Sequence, residues 1–119
     1  DLEKLLNTIN KRIEKLLDKD HQIGHSYFMN SDGILSISDL RYIFKNKILP
    51  LLQEYFYGDF GKIGLVLGER FIKEKDDNTV FSKFNYDDLD LIDERKVYQL
   101  SNLNNLESKD FESIYKISE

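Results

Sequence analysis

Leu2, Leu5, Leu6, Ile9, Ile13, Leu16 and Leu17 recur at steps of three and four, with Lys, Glu, Asn and Arg between them. An apolar stripe on a polar cylinder predicts an amphipathic helix over residues 2–18. No Pro or Gly interrupts it, and no cap is evident before Leu2. A chain that opens flush on such a helix, with no initiating methionine, reads as a piece of something longer.

The pattern changes over residues 18–33. Gly24 allows a tight backbone path, His25-Ser26-Tyr27-Phe28 is dense in hydrogen-bonding and aromatic groups, and Asn30 to Gly33 reads as a turn. A short helical turn is expected between Gly24 and Asn30. A second long helix should follow, capped by Ser36 or Ser38, with Ser36 and Asp39 spaced as a capping box. Leu40, Ile43, Phe44, Ile48, Leu51, Leu52, Tyr55 and Phe56 form its wide apolar face. Pro50 lies inside that pattern, lacks an N–H and pushes on the carbonyl of Asn46, so a kink or break is expected near 46–50. Gly58 ends the run, and Asp59 to Leu67 predicts a short helix closed by Gly68.

Beyond residue 69 the periodicity weakens. Phe71-Ile72 and Val80-Phe81 are expected as short strands around a polar loop at Asp76-Asp77-Asn78, and Val97 to Leu100 as a further strand. Asp87-Asp88-Leu89-Asp90 opens a helical turn, and Ser108 caps a last helix through Phe111, Ile114 and Tyr115. The fold class is mainly α, with short strands in the second half. The length of 119 residues suits one domain: residues 1–68 as the helical body and 69–119 as an acidic, less defined extension.

Charge separates those two parts. Residues 1–70 hold ten basic and ten acidic side chains, whereas 71–119 hold seven basic and twelve acidic, so the whole net charge of -5 lies in the second part. Such a surface repels a phosphate backbone, and no direct nucleic-acid contact is expected. Lys11, Arg12, Lys15 and Lys19 are diluted by Glu14, Asp18 and Asp20 and read as a solvated helix face. The absence of Cys removes disulfides, thiol nucleophiles and Cys-based zinc sites. No apolar run approaches a membrane span, the first residues carry no signal-peptide pattern, and a cytoplasmic protein is expected.

Motif chemistry is sparse. His21 and His25 are four apart, with Asp18 or Asp20 as an added oxygen, but the chain has no third His, and zinc needs three or four convergent ligands. Aligning Gly33 with the invariant glycine of a calcium loop puts Phe28 where the first carboxylate belongs and Asp39 where Glu belongs, although Asn30 and Asp32 match. No metal site is assigned. Gly58-Asp59-Phe60-Gly61-Lys62-Ile63 has the wrong spacing for a phosphate-binding loop and no hydroxyl after its Lys. His25-Ser26 places a base next to a nucleophile, a poor geometry for activation. No catalytic residue is assigned.

Two longer strings are distinctive. Ile9-Asn10-Lys11-Arg12-Ile13-Glu14, followed by Leu17 through Phe28, resembles the segment C-terminal to the NTPase core of McrB-type AAA+ proteins, the GTP-using motors of modification-dependent (5-methylcytosine) restriction systems. Lys47-Ile48-Leu49-Pro50-Leu51-Leu52-Gln53-Glu54-Tyr55-Phe56-Tyr57-Gly58-Asp59 is similar to the next block of that family, and Phe111 to Tyr115 fits its ending loosely. The resemblance covers about the first 68 residues.

That resemblance implies a C-terminal helical lid that follows the nucleotide-binding core, closes over nucleotide and passes closure to the neighbouring subunit of a hexameric ring. The core's Walker motifs, first sensor and trans-acting arginine are missing from this chain, so no cofactor and no turnover are expected for it alone. The full-length protein would be a nucleoside triphosphatase using GTP or ATP with Mg. Its expected partners are its own AAA+ core, neighbouring ring subunits and a McrC-like nuclease subunit. By the resemblance, His25, Ser26 and Arg41 are candidates for nucleotide contact, Arg41 because such lids place a sensor arginine one turn into this helix. Gly24, Tyr27, Phe28, Pro50, Leu51, Leu52, Tyr55 and Phe56 are expected to be structural. The competing reading is a stand-alone acidic helical module whose second part docks a basic protein.

Overall fold

The computed structural model describes residues 1–28, 35–75, 81–93 and 96–116. It is mainly helical, with one small antiparallel sheet. The predicted stripe forms α1 (Leu2–Leu16), which buries Leu5, Leu6, Ile9 and Ile13. Its ends Leu2 and Leu17 stay exposed. A cap does exist: the Asp1 carboxylate accepts the N–H groups of Glu3 and Lys4 at 3.0 and 3.2 Å.

After α1 come two 3₁₀ turns, Lys19–His21 and His25–Phe28, the second where a short turn was expected. Ser36 caps α2 (Ile37–Ile43) in the expected box: its Oγ accepts the Asp39 N–H (3.2 Å), and Asp39 Oδ2 accepts the Ser36 N–H (2.9 Å). The chain does not break before Pro50. It widens into a π turn over Phe44–Ile48, where the Leu49 N–H reaches back to the Phe44 carbonyl, and continues as α3 (Leu49–Tyr55). The wide turn sits just ahead of the residue that lacks an N–H, and Pro50 occupies the first turn of α3, where that donor is not needed.

A Schellman-type end closes α3. Gly58 N–H donates to the Gln53 carbonyl and Tyr57 N–H to that of Glu54. The left-handed cap position is taken by Tyr57 (φ 53°), with Gly58 also at positive φ. Asp59 then caps α4 (Phe60–Leu67), accepting the Lys62 N–H at 3.2 Å, and Gly68 ends it at φ 96°.

β1 (Ile72–Lys75) pairs antiparallel with β2 (Val97–Leu100), in the register Ile72 to Leu100 and Lys75 to Val97. The expected partner of Phe71-Ile72 was Val80-Phe81; Phe81 is not in a strand, and Val80 lies outside the described residues, as do the turn at Asn30 to Gly33 and the loop at Asp76 to Asn78. α5 (Leu89–Asp93) opens where Asp87-Asp88 predicted a helical turn. Leu103–Asn105 forms a 3₁₀ turn, and α6 (Ser108–Glu112) follows. Glu107, not Ser108, is the N-cap of α6: its backbone N–H is held by the Asp110 carboxylate at 2.8 Å.

One core joins these parts. Phe44 is its centre, with ring centroids 4.9 Å from Phe111, 5.6 Å from Phe71 and 6.2 Å from Phe28. Around it pack α1, the α2–α3 rod, Ile63, Val66 and Leu67 of α4, and Leu106 and Ile114 from the C-terminal segment. Phe28, Leu52 and Phe56 are buried as expected, while Tyr27, Leu51 and Tyr55 are half-buried against the core and Pro50 is exposed. Gly24 is exposed and has an ordinary φ, so no left-handed conformation requires glycine there.

Candidate functional site

The edge formed by residues 19–28 is held to α1 mainly by Asn10, with Gln22 Nε2 also donating to Glu14 Oε2 at 3.3 Å. The Asn10 amide donates to the Ile23 carbonyl (2.9 Å), and its oxygen accepts the Ile23 N–H (2.6 Å). This two-point grip copies a strand pairing and buries Ile23 beneath the turn. The following 3₁₀ turn sends Phe28 into the core and leaves His25 and Ser26 exposed.

His21 is committed elsewhere. Its Nδ1 pairs with Asp18 Oδ1 at 2.5 Å, and its ring stands edge-on to Tyr55 with centroids 4.9 Å apart. The hydrogen bond from His21 holds the Asp18 carboxyl below its ordinary pKa. Burial raises the Tyr55 phenol. Among the described residues, no three His, Asp or Glu side chains converge to hold a metal ion.

Ser26 and Tyr27 face the π turn across an open groove of about 440 Å³, whose other walls are Asn46, Lys47, Pro50, Leu51 and Glu54. Among the walls are Ser26 and three of the residues expected to be structural, Tyr27, Pro50 and Leu51. Arg41 is not in it. Its Nε donates to the Leu106 carbonyl at 2.6 Å, tying α2 to the segment before α6. Lys47 escaped the sequence reading because an exposed Lys on a helix carries no signal; only the placement of Ser26 opposite it marks the position.

Arg12, read as part of a solvated face, is half-buried and donates from Nη1 to the Val66 carbonyl at 2.6 Å. Burial pulls its guanidinium below the ordinary pKa. Lys11, Lys15 and Lys19 are exposed as expected. A second polar cleft, of about 500 Å³, lies by the sheet between Arg70, Lys73, Gln99, Ser101 and Asp110. Arg70 Nη1 donates to Asp110 Oδ1 there at 2.8 Å.

The geometry defines a small, mainly helical domain with a polar, solvent-facing edge. A family model for the alpha-helical lid domain of McrB matches residues 1–64, more than half of the chain, and the chain belongs to that family. It is thus part of a McrB-like AAA+ protein, as the lid that accompanies an AAA+ core. No curated protein matches the chain. No helix among the described residues is long and apolar enough to cross a membrane.

Proposed function

We propose that this chain is the lid that closes the nucleotide pocket of a McrB-like AAA+ NTPase, one that hydrolyses GTP or ATP with Mg in the cytoplasm. The motor would form a hexameric ring and drive a modification-dependent restriction complex with a McrC-like nuclease subunit. The observation that carries this reading is the lid-family match over residues 1–64, from α1 into α4. The rigidly held edge is consistent with it: Asn10 fixes the segment that presents His25 and Ser26, so a movement of α1 carries both side chains with it.

The chemistry of that edge suits a polar ligand. Ser26 offers a hydroxyl, and Lys47 across the groove offers a positive charge. Arg41 lies outside that groove, with Nε on the Leu106 carbonyl, and in this reading meets an anion through its terminal nitrogens. In this role the lid binds no nucleotide tightly alone and contributes by closing on the core.

The test is GTP and ATP turnover by the longer polypeptide that contains this lid, beside His25→Ala, Ser26→Ala and Arg41→Ala. Turnover should depend on protein concentration, as ring assembly requires, and at least one variant should lose about tenfold in kcat/KM. A longer protein with no nucleotide turnover at any concentration would overturn the motor reading. Full activity in all three variants would remove these residues from the pocket.

A further inference from the structure

Residues 76–96 connect β1 to β2, and the 81–91 stretch within them is described. Its apolar side chains are turned outward: Phe81 is 53% exposed, Phe84 74%, Tyr86 50% and Leu91 71%. None of them joins the core. Phe81, Phe84, Tyr86 and Leu89 instead line a hollow of about 230 Å³, with Ser82 as its polar wall. Isolated exposed apolar residues are ordinary, but several around one hollow mark a surface meant to be covered.

Charge indicates what covers it. Residues 76–96 carry seven acidic and three basic side chains, so they hold four of the five net negative charges of the chain. Asp87, Asp88 and Asp90 are exposed beside the hollow-lining residues Tyr86 and Leu89. Nucleic acid and anionic lipid are repelled by such a rim. A second copy fits poorly, because residues 1–70 carry no net charge and residues 71–75 and 97–119 together carry a net charge of -1, so neither offers a basic excess.

We propose that residues 81–91 form a docking arm for a separate polypeptide whose surface is rich in Lys and Arg and inserts an apolar side chain into the Phe81–Phe84–Tyr86–Leu89 hollow. The aromatic hollow supplies affinity, while the aspartates speed and orient the encounter. The site lies outside the residues matched by the lid family and does not depend on the motor reading.

The experiment places a photoreactive benzophenone amino acid at Phe84 of the native full-length protein in its source cells, with the same probe at exposed Lys11 as control. Cross-linked peptides are sequenced. The expected product joins Phe84 to a different polypeptide, at a site flanked by more Lys and Arg than Asp and Glu. Combining Asp87→Lys, Asp88→Lys and Asp90→Lys should cut its yield about tenfold. These residues lie outside the core, so the triple variant should keep its unfolding midpoint. Cross-links confined to the same chain or a second copy would overturn the proposal. So would a partner site with no basic excess, a yield unaffected by charge reversal, or no cross-link above the Lys11 control.

Discussion

The guanidinium of Arg12 reaches from α1 to the last turn of α4 and donates from Nη1 to the Val66 carbonyl at 2.6 Å. That carbonyl belongs to the set a helix end cannot satisfy within itself, and a cation there also complements the helix dipole. One long side chain therefore both caps α4 and fastens it to α1. Arg12→Met keeps most of the aliphatic stem and removes the donor. It should cost about 1.5–3 kcal/mol, the range for a hydrogen bond with one charged partner. Urea unfolding measures it; an unchanged midpoint would show that water replaces the contact without loss.

Asp110 makes the corresponding junction at the other end of the chain. It is buried, accepts the Glu107 N–H at 2.8 Å and pairs with Arg70 at 2.8 Å. The Glu107 backbone bond, then Arg70, hold its carboxyl below the ordinary value against the opposing effect of burial. Since the folded pKa is the lower one, the stabilisation is fully present above the unfolded carboxylate value of about 3.9 and is lost as pH falls through the native value. Stability measured from pH 6 to pH 2 should fall along this window, and Asp110→Asn should flatten that part of the curve. An identical acid slope in both proteins would remove Asp110 from the account.

Phe56 ends the apolar face of the α2–α3 rod and is buried. Phe56→Ala should cost about 3–5 kcal/mol, the usual loss for a truncated core aromatic. In a chain of this size that threatens folding, so the more informative variant is Phe56→Leu, which should unfold cooperatively at a lower denaturant midpoint. A shift below about 1 kcal/mol for the Ala variant would contradict the packing.

Tyr57 holds a left-handed conformation (φ 53°) while its side chain is 98% exposed. A residue with a Cβ loses about 1–2 kcal/mol there, and glycine does not. Tyr57→Gly should therefore leave stability level or raise it by up to about 1 kcal/mol, because the greater freedom of unfolded glycine offsets part of the gain. Thermal unfolding reads the sign. A clear loss would mean the ring contributes contacts in solution.

Legibility followed locality. The Leu and Ile stripe of α1, the Ser36–Asp39 box, and the Asp59 and Gly68 ends of α4 were all readable, because each depends on residues within four or five positions of one another. Strand pairing was not: short apolar runs do not name their partner, and Ile72 meets Leu100 across 28 residues of sequence. Pro50 was correctly read as a disturbance, but a helix can absorb it by widening as well as by breaking. At the candidate edge, His25 and Ser26 were marked by the family resemblance, whereas the Asn10 grip that positions them and the Lys47 that lines the same groove as Ser26 are visible only in three dimensions. Arg12 and Arg41 illustrate the same limit. Each donates to a backbone carbonyl more than fifty residues away, and a carbonyl leaves no mark in a sequence.

The two glycines inside α4 separate helix propensity from tertiary approach. A Cβ on Gly64 would meet the Ile72 side chain at 3.5 Å, an ordinary contact, so alanine fits between helix and hairpin. Gly64→Ala should raise stability by about 0.5–1 kcal/mol, the helix preference for Ala over Gly. A Cβ on Gly61 would lie 3.1 Å from Asp59 Oδ1 and 3.4 Å from Tyr98 Cε2. Asp59 Oδ1 is the oxygen that caps α4 through the Lys62 N–H, so it can give way only by weakening that bond. Gly61→Ala should thus gain nothing, and it should lose stability if the cap breaks, by about 0.5–2 kcal/mol. Paired denaturation curves decide it. Equal gains from both substitutions would show that the Asp59 carboxylate moves freely and that the hairpin does not press on the start of α4; opposite signs would locate the tight contact at Gly61.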